Sequence, residues 1–443
     1  MKYLKKQDKE IADLIKKEIK RQEETLMMIP SENIASSAVE EAVGSQLENK
    51  YAEGYAFKRY YQGQEVIDKI ETIVIERAKK LFNVPYANVQ PYSGSPANFE
   101  VYNAVLNPGD KIMGLSLSFG GHLTHGSSAS ATSKYFKSIQ YDLGKDGYID
   151  YKNLMRLAIK EKPKVIVAGT TAYPRILQWK RFYEIAEKVG AYLLCDISHI
   201  AGLIVGGVYP SPVNFSHIIT TTTHKTLRGP RGAMILVTNK GIKKDSDLAK
   251  KIDRSVFPQL QGGPHINTIA GIGVALKEAG KPSFKKYSKQ IIKNARVLAK
   301  ELTKHKFNLI SGGTDSHLLL IDLRNKNIIG NTLAEALEGI GIVTNYNSVP
   351  FDTNPPFYPS GLRLGTPGVT SRGLTEKDMI KIAGYISKLT DAVAKTKATL
   401  DFSFEEEKKR SIRKMIVKKT KIIPVLRKKV IQLCKKYPVK KFY

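Results

Sequence analysis

The chain has 443 residues, 42% apolar and 25% charged, with a net charge of +30 and two cysteines. This length allows two or three domains, since a single core rarely grows past about 250–300 residues. The composition excludes a disordered or fibrous protein, and two cysteines exclude a disulfide framework and suit a reducing cytoplasm. No run of about 20 apolar residues marks a membrane span, and the basic stretch Met1 to Asp8 leads into no long apolar segment, so export is not expected.

Ile11, Leu14, Ile15 and Ile19 recur at helical spacing and predict a helix over 8–24, which Pro30 ends or bends before Ser31-Glu32-Asn33. A second helix is predicted over 64–82, with Val66, Ile67, Ile70, Ile73, Val74, Ala78 and Leu81 on one face. From 87 to about 239, short β-rich runs alternate with helical patterns. The runs at 165, 192 and 218 are continuously apolar, as in strands covered on both faces of a sheet. That alternation predicts an α/β domain with a mostly parallel sheet. Helices over 271–279, 287–305, 332–340 and 375–393, with a strand over 318–323, predict a smaller α+β domain. The expected organisation is a helical arm (1–50), a large α/β domain (51–280), a small α+β domain (281–400) and a basic helical extension (401–443).

Lysines are scattered over most surface-like segments, as a lysine-favouring genome would leave them; nucleic-acid binding is the other reading. The extension differs, with 15 Lys and Arg against 4 Asp and Glu over 401–443. Apolar patches at Ile412, Met415 and Ile416, then at Val425, Leu426, Val430 and Leu433, stand between its basic clusters. A basic amphipathic helix of this kind could bind RNA or DNA, lie on a membrane, or lie on the protein's own surface.

Several strings carry chemistry. Thr220-Thr221-Thr222-Thr223-His224-Lys225 ends a β-type run and precedes Arg228, Gly229, Pro230, Arg231 and Gly232. Cationic neighbours would depress the Lys225 pKa and leave more of the neutral amine that attacks a carbonyl. Asp196 ends the apolar run from Tyr192, at the sheet edge where ligands of open α/β sheets bind. It could keep a pyridinium nitrogen protonated or, equally, cap a helix. Ser93-Gly94-Ser95-Pro96-Ala97-Asn98 is a hydroxyl-rich turn opening a helix, suited to an anion such as phosphate or to a plain cap, with Pro96 fitting a first turn. Gln261-Gly262-Gly263-Pro264 could bring backbone N–H groups to the same phosphate. Gly120-Gly121-His122-Leu123-Thr124-His125-Gly126 holds two histidines; with no third ligand at metal spacing, a ring stacked on a planar cofactor is preferred to zinc. Asn49 to Tyr55, then Lys58-Arg59-Tyr60-Tyr61, is dense in phenols around Glu53, a mixture for proton handling near a flat ligand. Arg363, in Ser360-Gly361-Leu362-Arg363-Leu364-Gly365, needs an anionic partner, and a carboxylate matches it best.

In this order along the chain, 49–55, 120–126, 220–232 and 360–367 closely resemble the serine hydroxymethyltransferase family, and the resemblance runs from about 29 to 392. It implies a fold-type I pyridoxal-phosphate enzyme, with a large, mostly parallel α/β domain and a smaller C-terminal α+β domain. It further implies that Lys225 is the Schiff-base lysine, that Asp196 pairs with the pyridine nitrogen, that His122 stacks on the ring, and that His199 bonds the phenolic oxygen or its surroundings. Ser93, Gly94 and Ser95 would hold the phosphate, helped by Tyr51 and Gly263 of a second subunit. Thr171, Thr222 and Gly262 complete the cofactor set. Arg363, with Ser31, would clamp the substrate carboxylate. Glu53 would act as acid and base near the serine hydroxyl and folate, beside Tyr61, and His224 would shape substrate choice. Leu117, Gly121, Leu123, Asn347 and Phe357 match folate-contacting positions, which His122 borders.

The implied reaction is L-serine plus tetrahydrofolate giving glycine, 5,10-methylenetetrahydrofolate and water, in a cytoplasmic homodimer with shared sites; nucleic acid is a further partner through the extension. A folate-independent threonine-type aldolase would share Lys225, Asp196 and Arg363, but Glu53, Tyr60, Tyr61 and Asn347 argue against it. Pro30, Pro96, Ser198 and the run Gln259-Leu260-Gln261 depart from the family pattern, and none removes a reacting group.

Overall fold

The computed structural model describes residues 2–439 and divides into two compact units. One comprises Asn33–Ile292 and Thr314–His317; the other comprises the chain up to Glu32, Lys293–Gly313 and everything from Leu318 onward.

In the first unit, the apolar runs become strands β1 (Tyr86–Asn88), β2 (Lys111–Leu115), β3 (Lys137–Tyr141), β4 (Val165–Gly169), β5 (Tyr192–Asp196), β6 (Ile218–Thr222) and β7 (Ala233–Val237). They form one sheet in the order β1-β7-β6-β5-β4-β2-β3. β3, β2, β4, β5 and β6 pair in parallel, while β7 runs antiparallel to β6 and β1. Continuous hydrophobicity has a direct cause here. Ile166, Ala168, Leu193 and Cys195 pack into one core on one face, while Val165, Val167 and Leu194 pack into a second core on the other. Each Val, Leu or Ile side chain among them, fully buried, contributes about 1.5–3 kcal/mol. The helices Glu65–Phe82, Tyr151–Glu161, Trp179–Lys188 and Ile266–Ala279 supply the first core, and Gly94–Val105 and Leu248–Arg254 the second. Because the central strands are parallel, β4, β5 and β6 end at one edge, and the turns leaving that edge carry Thr171, His199 and Lys225.

In the second unit, β8 (Asn308–Leu309), β9 (Leu318–Asp322), β10 (Asn345–Asn347) and β11 (Gly361–Gly365) make an antiparallel sheet in the order β8-β9-β11-β10. A short helix, Lys2–Gln7, precedes helix Lys9–Glu23, which is capped by Asp8 accepting from the Ile11 amide. The latter stops well before Pro30 because Leu26–Met27 pairs in parallel with Ile342–Val343, a tertiary contact no local pattern announces. Helix Glu376–Thr399 outlasts its prediction by six residues.

The basic extension folds as Phe404–Glu407, Arg410–Lys419 and Ile423–Lys436. Ile416, Leu426, Val430, Leu433 and Cys434 are buried in one cluster with Leu333, Ala336 and Ile340 of helix Gly330–Ile340. Of the three readings left open, its apolar faces serve its own unit. Buried Glu407 pairs with Lys397 at 2.6 Å and accepts from the Thr332 hydroxyl (2.6 Å) and the Ile329 amide (3.2 Å). The Arg372 guanidinium donates to the carbonyls of Gln22, Glu23 and Thr25, and to those of Cys434 and Tyr437. Both cysteines are free and buried. Among the described residues, no helix is long and apolar enough to cross a membrane.

Candidate active site

Lys225 stands three residues past the end of β6, in a turn closed by the Gly229 amide donating to the Thr223 carbonyl (2.8 Å) and the Arg228 amide to the Lys225 carbonyl (3.1 Å). Asn33 donates to that same carbonyl at 2.9 Å. Arg228 adopts a left-handed φ of 62° and turns its guanidinium over the Tyr287 ring and toward the Ile34 carbonyl. The charge of Lys225 is felt at Asp196, His122 and His224, which gathers these four groups.

Asp196 closes β5. One carboxylate oxygen accepts from Asn98 Nδ2 (2.9 Å) and His125 Nε2 (3.1 Å), the other from the Ser198 amide (3.0 Å). Burial alone would raise this carboxyl. The hydrogen bond from His125, and the charges that His125, His122 and Lys225 carry at the acid pH where the carboxyl would titrate, outweigh it and hold Asp196 far below the usual carboxylate range. The backbone of β4 must pass close by: a Cβ at Gly169 would stand 2.7 Å from Asp196 Cβ, so glycine is required there.

His122 caps the short turn Leu123–His125, its Nδ1 accepting from the Thr124 amide (3.2 Å) and facing the Thr124 hydroxyl (2.8 Å). Burial, with the charges of His125 and Lys225, brings its pKa down to about 4, leaving a neutral ring at pH 7. The turn before it is a tight fit: Gly120 has φ 97°, and a Cβ at Gly121 would collide with the Leu115 carbonyl. Thr171 ties that turn down, its hydroxyl donating to the Gly121 carbonyl at 3.0 Å. Leu117 and Leu123 flank it, both partly exposed.

Helix Gly94–Val105 begins at Ser93, whose side chain makes no capping bond, so the amides of the first turn remain available to an anion. Gly94 lies against Thr222, where a Cβ would meet Thr222 Cγ2 at 2.6 Å. Thr222 is fixed in turn by the Ser198 hydroxyl accepting from its amide (3.0 Å). His199 is buried, with Nδ1 3.3 Å from His317 Nε2 and the two rings stacked. Burial, Lys225 and Arg231 bring the His224 pKa down to about 3, and its Nδ1 is buried with no partner among the described residues. An aromatic cofactor with an acidic tail and a basic ring nitrogen fits this donor set: an uncapped helix start for the phosphate, a desolvated carboxylate for the nitrogen, and an amine beside it.

A second group surrounds Glu53. Its two oxygens accept from the hydroxyls of Tyr51 and Tyr61, both at 3.2 Å, and those rings meet edge-on at 5.2 Å. The charge of Glu53 raises the Tyr51 pKa; burial and then Glu53 raise that of Tyr61. Gly262 and Gly263 lie against Glu53 and the Tyr51 ring, respectively. Tyr51 and Tyr61 are 57% and 44% exposed.

Ser31, Asn347, Phe357 and Arg363 belong to the other unit. Arg363 sits in β11 and donates to Asn345 Oδ1 at 3.1 Å, and burial brings its pKa down to about 10. Asn347 donates to the Ser348 carbonyl, and Phe357 is 79% exposed.

Asn98 and His125 hydrogen-bond Asp196, and Thr124 faces His122; sequence reasoning assigned none of the three a role. The signal was present, since Asn98 lies in the string at 93–98 and His125 is the second histidine of the glycine-rich turn. Only the fold shows that both point at Asp196.

The parallel sheet, the amine beyond β6 and the carboxylate closing β5 define a fold-type I pyridoxal-phosphate enzyme. The family model for serine hydroxymethyltransferase matches residues 4–386. The chain is 56% identical over 389 residues to the serine hydroxymethyltransferase of Acidothermus cellulolyticus, covering 88% of this chain and 90% of that one. It is 53% identical over 391 residues to that of Desulfotalea psychrophila (88% and 90%), and 55% over 387 residues to that of Wolbachia pipientis wMel (87% and 90%). The chain therefore belongs to the serine hydroxymethyltransferase family, enzymes that interconvert serine and glycine with pyridoxal phosphate as cofactor and tetrahydrofolate as co-substrate.

Proposed function

We propose that Lys225 is the Schiff-base lysine, that Asp196 holds the pyridine nitrogen in its protonated form, and that His122 covers the ring. The observation that carries this is the Asp196 carboxylate, kept ionised although buried, within reach of the Lys225 charge. Pyridoxal phosphate, when bound, supplies an electron sink for the pair left as the Cα–Cβ bond of serine breaks. Ser93, Gly94 and Ser95 bind the phosphate at the helix start, with Thr171, Thr222 and His199 framing the ring. Arg363, assisted by Ser31, takes the substrate carboxylate; a desolvated guanidinium gains most from such a partner. Glu53 moves the proton at the serine hydroxyl, with Tyr61 beside it, and His224 shapes substrate choice. Leu117, Gly121, Leu123, Asn347 and Phe357 contact the folate.

Glu53, Tyr51, Tyr61, Gly262 and Gly263 serve a second copy of the chain in a homodimer with shared sites. Large aromatic groups left open to solvent support this, since Phe57 and Tyr60 beside them are also exposed. The cytoplasm is the proposed setting, which the two free thiols suit. The test is turnover of serine by the purified protein with pyridoxal phosphate, with and without tetrahydrofolate. Glycine formation should require the folate and vanish in Lys225→Ala. Equal rates without folate would transfer the chain to an aldolase activity.

A second role, nucleic-acid binding, is supported by the outward lysines of the extension, among them Lys414, Lys418, Lys421 and Lys428. Because the extension also builds its unit's core, the test is charge reversal of these four rather than deletion. Salt-dependent retention on RNA should fall; unchanged retention removes the idea.

A further inference from the structure

Asn98 lies on the helix that opens at the phosphate turn, 1% exposed, and both its amide protons and its amide oxygen are engaged. Its Oδ1 accepts from the Thr220 hydroxyl at 2.6 Å, and its Nδ2 donates to both Asp196 Oδ2 and Thr124 Oγ1 at 2.9 Å. Proton accounting fixes the direction of every bond. An ionised Asp196 can only accept, so Nδ2 faces it. The second Nδ2 proton goes to Thr124 Oγ1, which leaves the Thr124 hydroxyl proton for its other close neighbour, His122 Nδ1 at 2.8 Å. His122 Nδ1 also accepts the Thr124 amide at 3.2 Å. Two donors therefore converge on one ring nitrogen, which must be bare, so the ring proton sits on Nε2.

We propose that Asn98 is a positioning residue that sets two cofactor contacts with one amide: it orients the Asp196 carboxylate directly and, through Thr124, fixes the tautomer and plane of His122. The consequence is coupling. The group beneath the ring nitrogen and the group over the ring face cannot be adjusted independently while the amide is in place. Thr220, in the middle of β6 and five residues before Lys225, anchors the relay to the strand that leads to the amine.

The test uses holoenzyme labelled with 15N-histidine, in which the ring-nitrogen shifts report the tautomer. His122 in the native chain should show a bare Nδ1 and a protonated Nε2 between pH 6 and 8. Thr124→Val should mix the tautomers and Thr124→Ser should restore the native pattern, while both keep near-native pyridoxal-phosphate affinity. Asn98→Ala should disturb His122 as Thr124→Val does and also weaken cofactor binding at least about tenfold, the loss expected of one hydrogen bond to a charged group. Should Asn98→Ala not fold, Thr220→Val carries the test, with the same two changes at smaller size. An unaltered His122 pattern in Asn98→Ala, or in Thr220→Val where that variant is used, overturns the proposal. The affinity readout rests on assigning Asp196 and His122 to the cofactor and the tautomer readout does not, so the two failures are distinguishable.

Discussion

Two carboxylates, Asp196 at the sheet edge and Glu407 in the extension, are taken from water in opposite ways. At the sheet edge Asp196 is satisfied by an amide, a backbone N–H and His125, whose Nδ1 accepts from the His122 amide and whose Nε2 therefore carries the proton. In the extension, Glu407 meets a full ammonium, that of Lys397, at 2.6 Å. A carboxylate closed off by a cation is a strut: its charge is cancelled and it has nothing to offer a ligand. One bonded to an amide, a backbone N–H and an imidazole keeps its charge and still benefits from a cationic partner, which is what a pyridinium supplies. The same physics separates a site from a scaffold.

The largest effect that sharpens this contrast is at the amine. Lys225→Ala should abolish turnover and remove the visible absorption of the bound cofactor while the protein stays folded; retained absorption would sink the assignment. On the scaffold side, Glu407→Gln strands a buried ammonium and should cost about 3–5 kcal/mol in denaturant unfolding. Replacing the pair together, Glu407→Leu with Lys397→Met, should cost far less, and equal losses would mean the pair is no strut. Leu433→Ala removes a buried side chain from the extension and should cost about 2–5 kcal/mol, whereas Lys428→Ala on its outer face should stay within about 0.5 kcal/mol.

A pH-dependent effect concerns another buried carboxyl, Glu100, two residues beyond Asn98. Both its oxygens are buried without a partner among the described residues, and burial pushes its pKa up to about 8. Tyr92 and Tyr55 are the titratable groups that feel its charge. Its folded pKa lies above the unfolded one, so between about 4.5 and about 8 the folded state holds a proton that the unfolded state has lost. Stability should therefore fall with rising pH across that window, by up to about 1.4 kcal/mol per pH unit. Glu100→Gln should flatten this slope in urea titrations; an unchanged slope would place its origin elsewhere.

Much of this was legible in the sequence. Continuous apolar runs at 165, 192 and 218 identify buried parallel strands because period-two alternation vanishes when both faces are covered. Lys225 and Asp196 stand at strand ends as the sequence suggested, but position alone left a surface lysine and a helix cap open, and the roles proposed for them rest on the family resemblance. What escaped depends on contacts distant in sequence. Nothing near Met27 foretells its pairing with Val343, and nothing near Asn98 foretells Asp196. The extension misleads through composition: its lysines dominate the count, while the few apolar residues between them determine where it packs.

The clasp at Arg372 has a consequence for the order of assembly. Its guanidinium grips carbonyls at 22–25 and again at 434 and 437, so it joins segments far apart in the order of synthesis. While the chain is being made, the second unit must wait, half-built, until its last helix arrives. The first unit, complete from Asn33 to Ile292 except for residues 314–317, waits only for those four.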